Sequence, residues 1–127
     1  MIDNLEEPSI INNDIKTKVK QDPRILKARG GDPNDPNENK RPTDPVGLSR
    51  SILHVLKDHE YVRVLSVGPV ALSSVMSAFR LASREIESLT NGSVLVCRQS
   101  EYSAEINGKK AKGISTRIFA IDIKFAL

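Results

Sequence analysis

The sequence is poor in the residues from which many functional sites are built. It holds one cysteine, Cys97, in 127 residues. That excludes an internal disulfide framework and a cysteine-built zinc site. Two histidines, His54 and His59, leave little material for any metal site, and no cofactor is expected. Tryptophan is absent, and the aromatic side chains are two tyrosines and three phenylalanines: Tyr61, Tyr102, Phe79, Phe119 and Phe125. So few aromatics argue against single-strand recognition on a stacking platform. No apolar run approaches the roughly eighteen residues of a membrane-spanning helix, so no membrane partner is expected. Met1 to Pro8 carry neither the basic nor the apolar segment of a secretory signal, and the expected compartment is cytoplasmic.

What is present fits one soluble domain: 39% hydrophobic and 28% charged residues. Lysine and arginine number 19 against 16 acids, for a net charge of +3. The bias is unevenly placed. Residues 1–44 carry eight basic and nine acidic side chains, and residues 45–127 carry eleven basic and seven acidic, a net of +4. Basicity gathered where the folding signals are strongest favours a polyanionic partner.

Read along the chain, residues 1–23 are a polar tail or a short helix bearing Ile10, Ile11, Ile15 and Val19. Residues 24–127 form the domain. Arg24 to Arg29 reads as a first strand, and residues 30–44 as a long, exposed, mobile loop of turn-formers and charges. Asp44 before Pro45 is a helix start, a capping carboxylate followed by proline at the first position. Leu48, Ile52, Val55 and Leu56 then line one face of a helix ending near Asp58. Tyr61 to Val67 is rich in β-formers and is stopped by Gly68-Pro69. From Val70 to Leu89 the pattern is again helical, with Leu72, Val75, Met76, Phe79, Ala82, Ile86 and Leu89 on a broad apolar face. Ser93 to Arg98 is a third strand. Glu101–Ile106, Asn107-Gly108 and Ile114–Phe125 make a hairpin system around a strong turn signal, with Phe119, Ile121, Ile123 and Phe125 on one face of the last strand. The order β-α-β-α-β-β predicts a two-layer α/β (α+β) domain, a four-stranded mixed sheet with two helices on one face.

Three segments carry a resemblance: Val64-Leu65-Ser66-Val67-Gly68-Pro69-Val70-Ala71-Leu72, Gly92-Ser93-Val94-Leu95-Val96-Cys97 and Ala104-Glu105-Ile106-Asn107-Gly108-Lys109. From Pro45 to Ile123 the chain resembles the stage V sporulation protein S family and, behind it, the Alba superfamily. Gly113 to Ile118 is similar to the start of the final strand in Alba proteins. The resemblance covers about two thirds of the chain and lies in order and spacing more than in any single motif. It implies a small homodimer, with higher oligomers left open, that binds DNA or RNA through the loop after the first strand and a projecting hairpin arm. By position the loop supplies Lys40 and Arg41, and the hairpin supplies Lys109, Lys110, Lys112 and Arg117. The loop is longer and more acidic here than the usual short basic one.

Each of these positions also has a plainer reading. The hairpin lysines would keep a sheet edge soluble. Lys40 and Arg41 would be balanced by Asp32, Asp35, Glu38 and Asp44. Arg80 and Arg84, four apart on the second helix, would solvate it. Gly68-Pro69 is a strand-to-helix turn, far short of a phosphate-loop signature. Catalytic constellations are lacking. His54 and His59 bracket a helix end, Cys97 sits in a strand as a structural thiol, and Ser73 and Ser74 have no histidine at a recognisable spacing. Taken with the resemblance, which tips the basic hairpin toward phosphate binding, the expectation is a non-enzymatic nucleic-acid-binding protein that acts through backbone phosphates with low sequence specificity and has no small-molecule substrate. The alternative is a dimeric regulator or scaffold of the sporulation type acting through protein partners.

Overall fold

The computed structural model describes residues 22–125. The tail-or-helix alternative thus falls almost wholly on positions outside the described residues. In chain order the elements are β1 (Ile25–Lys27), α1 (Pro45–Asp58), β2 (Val62–Ser66), α2 (Pro69–Leu89), β3 (Ser93–Ile106) and β4 (Lys109–Asp122), with 3-10 turns at Glu38–Lys40 and Ile123–Phe125. The order and fold class are those expected from the sequence.

The strands form one mixed sheet in the order β1-β2-β4-β3. β1 runs parallel to β2, and the remaining pairs are antiparallel. Both helices cover one face, because β2 alternates buried and half-buried residues with Val62, Val64 and Ser66 inward. The core joins Leu48, Ile52 and Val55 of α1 to Val62 and Val64 of β2, Val75, Ala78 and Ala82 of α2, Leu95 of β3 and Ile118 of β4. Ile52, Val62, Val64, Val75 and Ile118 are fully shielded from solvent, each worth roughly 1.5–3 kcal/mol over its exposed state.

Local chemistry explains the boundaries. The Asp44 carboxylate accepts from the amides of Val46 and Gly47, and Pro45 occupies the first turn of α1. Gly68, at φ +88°, turns the chain from β2 into α2 where a side chain would be strained. Asn107 and Gly108 both take positive φ, 52° and 77°, as a tight hairpin turn with the twist of its strands requires.

Three local expectations are revised. Of the apolar face expected for α2, Leu72, Val75, Phe79, Ala82 and Ile86 pack on the core, while Met76 and Leu89 are exposed. The fully buried stripe is Ala71, Ser74, Val75, Ala78 and Ala82, whose small side chains let the helix approach closely. β3 does not stop at Arg98 but continues to Ile106, because β4 pairs with it residue for residue. β4 ends at Asp122, whose carboxylate captures the amide of Lys124 at 3.0 Å and bends the chain into a 3-10 turn. Ile123 and Phe125 therefore leave the strand, and Phe119 and Ile121 lie on the face away from the helices.

Residues 30–44 form the exposed loop expected from the sequence, and they run through hydrogen-bonded turns. The side chains of Asp32, Asp35 and Asn37 each accept from the amide two residues on, at 2.9–3.0 Å. The base of the loop is closed by Arg29 and Thr43. The Arg29 amide donates to Thr43 Oγ1 at 2.6 Å, and the Thr43 amide donates to the Arg29 carbonyl at 2.9 Å. Asx turns give such a polar segment a course without any apolar residue to bury.

Candidate nucleic-acid interface

The strand register sorts the charges. Val62 pairs with Ile118 and Val64 with Thr116, all buried beneath the helices. Their neighbours therefore point to the open face. That face carries Lys27 on β1, Arg63 on β2, Arg117 and Lys109 on β4, and Arg98 on β3. None of the strand positions facing this way is aspartate or glutamate. The strand acids, Glu101, Glu105 and Asp122, belong to the opposite phase.

Arg63, Arg117 and Arg98 form a row. Arg117 stands directly opposite Arg63 across one ladder and Arg98 across the other. Like charges placed this way oppose folding, and among the described residues none of the three pairs with a carboxylate. The ion pairs there are Arg24 with Asp22 at 2.8 Å and Lys112 with Glu101 at 4.0 Å. The Arg63 Nε donates to Ser115 Oγ at 3.1 Å. The Arg117 guanidinium lies 4.3 Å above the centre of the Tyr61 ring, and that of Arg24 lies 5.0 Å from it. Arg63, Arg98 and Arg117 together with Ser100 and Ser115 line an open cavity of about 210 Å3.

Beyond the end of β2, where Ser66 pairs with Ile114, β3 and β4 run on as a free two-stranded arm from Tyr102–Gly113 to the Ile106–Lys109 pair. Five residues per strand at about 3.4 Å each extend it about 17 Å. Its base is braced by Tyr102, whose ring lies across Gly113. A Cβ at Gly113 would meet that ring and the Ser66 carbonyl oxygen, the latter at 2.8 Å. The ring of the one tyrosine near the hairpin is thus engaged in packing. A cleft of about 400 Å3 separates the arm from the end of β1, with Lys27, Arg29, Tyr102, Ala104 and Ile106 among its walls.

The six site positions expected from the sequence do not form one cluster. Lys109, Lys110 and Lys112 are on the arm and exposed, but the two-residue period divides them. Lys109 belongs to the open face. Lys110 faces Glu105 across the ladder, and Lys112 reaches Glu101 through a solvent-exposed contact that adds little stability. Lys40 is exposed at the end of the 3-10 turn. The Arg41 Nε donates to the Asp35 carbonyl at 2.6 Å, and the Arg41 carbonyl accepts from the Arg29 Nε at 2.7 Å. Arg41 therefore closes the loop on itself. Arg117 sits at the centre of the arginine row.

Arg63 and Arg98 are not evident as site residues in the sequence because each stands alone in an apolar strand. The signal that marks them is phase. Each occupies the outward position of its strand, as Arg117 does.

Cys97 packs against the core at half-burial, and desolvation pushes its thiol pKa up, away from nucleophilic use. Among the described residues no group of three or more His, Cys, Asp or Glu could hold a metal ion, and no helix is long and apolar enough to cross a membrane. No protein-family model matches the chain, and no curated protein matches it.

Proposed function

We propose that this protein binds DNA or RNA with low sequence specificity through backbone phosphates, using the open face of its sheet together with the hairpin arm. The observation that carries this reading is the segregation of charge. Lys27, Arg63, Arg98, Lys109 and Arg117 share the open face with no strand carboxylate among them. A surface that only needs solubility mixes both signs; one that displaces counterions from a polyanion does not. The sequence resemblance to Alba proteins described above points the same way through the basic residues at the hairpin tip.

The weight falls on the sheet rather than on the arm alone. Lys110 and Lys112 have Glu105 and Glu101 as neighbours, which lowers their value to a phosphate. Lys40 reaches backbone at the periphery, and Arg41 serves the loop.

A homodimer is part of the proposal. Leu89 at the end of α2 and Phe125 after β4 are 71% and 74% exposed, large apolar groups suited to a second copy. The same two residues favour the other reading, a regulator or scaffold acting through protein partners. Salt separates the two. Fluorescence anisotropy with duplex DNA, single-stranded DNA and RNA of equal length is expected to show affinity falling steeply with salt concentration. Absence of binding to all three polymers at low salt overturns the nucleic-acid reading and leaves the scaffold.

A further inference from the structure

The arginine row is denser than a run of backbone contacts requires. Adjacent strands lie about 4.8 Å apart, so the row places Arg63, Arg117 and Arg98 within about 10 Å. They border one cavity of about 210 Å3, the space of about seven water molecules at roughly 30 Å3 each. A group seated there is bordered by all three arginines. Two of them are held in place: Arg63 by its Nε bond to Ser115 and Arg117 by the Tyr61 ring. Ser115 is only 3% exposed and accepts that bond, which leaves its hydroxyl proton for an anion. The terminal nitrogens of Arg63 remain for a second acceptor.

A phosphodiester offers this cavity one charge. A phosphate monoester offers about −1.5 to −2 and three strong acceptor oxygens, which match a triple arginine site better.

A second feature indicates what the phosphate is attached to. Arg117 also borders a larger open cavity, about 600 Å3, whose walls include Leu56, Tyr61, Ile86 and Phe119 together with His59 and Glu60. Arg117 lines both cavities. The smaller is bordered by three arginines, and the larger offers apolar side chains and the size that small organic groups occupy.

Resting on the nucleic-acid reading above, we propose that Arg63, Arg98 and Arg117 with Ser100 and Ser115 form a site for the phosphate monoester of a nucleotide, with its sugar and base in the apolar groove beside Arg117. The monoester belongs either to the phosphorylated end of a strand or to a free mononucleotide.

The experiment follows the arginine Nε–Hε NMR signals of the full chain during titration with adenosine monophosphate and with adenosine. In parallel, anisotropy compares oligonucleotides of one sequence ending in 5′-phosphate, 3′-phosphate or hydroxyl. The monoester-bearing member of a pair is expected to bind about ten-fold tighter than its hydroxyl counterpart, as charge-assisted hydrogen bonds allow, and to move the signals of Arg63, Arg98 and Arg117. Preference in the oligonucleotide arm assigns the site to strand ends, and preference only in the mononucleotide arm assigns it to free nucleotide. Equal binding of phosphate and hydroxyl forms in both arms overturns the proposal, even where the oligonucleotides themselves bind. The double variant R98Q/R117Q, at two exposed positions, must lose the preference, with its Tm confirming that it folds. The variant R98K/R117K keeps the charge without the planar fork and is expected to recover only part of it. A preference that survives R98Q/R117Q also overturns the proposal.

Discussion

Arg117 stands directly opposite Arg98 across the β3–β4 ladder, on the uncovered face of the sheet, with no carboxylate partner for either among the described residues. Two like charges in register cost the fold a fraction of a kcal/mol, up to about 1. With Arg63 on the other side of Arg117, the repulsion occurs twice. A sheet that keeps such a row gives up stability for surface charge, the trade expected where binding rather than folding sets the residue.

The trade can be measured at Arg98, which has neither the hydrogen bond of Arg63 nor the aromatic contact of Arg117. Arg98→Gln is expected to raise stability by a few tenths of a kcal/mol in urea denaturation, since one repulsive pair disappears. The same variant is expected to weaken nucleic-acid binding. A loss of stability would mean that the row is supported by contacts other than those described.

Gly113 is where the arm leaves the sheet. Gly113→Ala places a methyl against the Tyr102 ring and within 2.8 Å of the Ser66 carbonyl oxygen, and backbone cannot yield as a flexible side chain does. The expected cost is about 1–3 kcal/mol, read from the denaturation midpoint at unchanged m-value.

Asp22 supplies a pH signature at the edge of the domain. Side-chain and backbone hydrogen bonds from Arg24 hold its carboxyl pKa at about 2, against an ordinary value near 3.9. A depressed carboxyl pKa stabilises the folded state above the unfolded value, and that contribution is lost as pH falls from about 4 toward 2. Asp22→Asn is therefore expected to flatten the stability profile between about pH 2 and 4 and to leave its shape near neutrality unchanged. NMR titration of the Asp22 carboxyl carbon checks the midpoint directly.

The parts of this molecule that short-range chemistry decides are legible in the sequence. Asp44-Pro45 marks the start of α1, Asn107-Gly108 marks the hairpin turn, and Gly68-Pro69 marks the junction between β2 and α2. Each works through a backbone angle or a capped amide within a few residues. The extent of β3 is less legible, since Gln99 and Ser100 are weak strand-formers kept in the ladder by Thr116 and Ser115 opposite them. The loop at residues 30–44 is legible as exposed chain from its composition, whereas the Arg29–Thr43 closure at its base is seen only in space. Least legible is the site. Arg63, Arg98 and Arg117 are far apart in sequence, and only the order β2-β4-β3 and a register fixed by buried partners make them neighbours. The lysines at the hairpin tip are conspicuous because they are contiguous, yet alternation sends Lys110 and Lys112 to the face that carries Glu105 and Glu101.

The most direct test of the central claim compares two triple variants across a salt series on one duplex and one RNA. The sheet-face variant carries Arg63→Gln, Arg98→Gln and Arg117→Gln, and the arm variant carries Lys109→Gln, Lys110→Gln and Lys112→Gln. Each phosphate contact contributes about 0.9 to the slope of log affinity against log salt on duplex DNA. The sheet-face variant is expected to lose about two to three units of slope, and the arm variant about one. An unchanged slope in the sheet-face variant, with the wild type binding normally, would contradict the account.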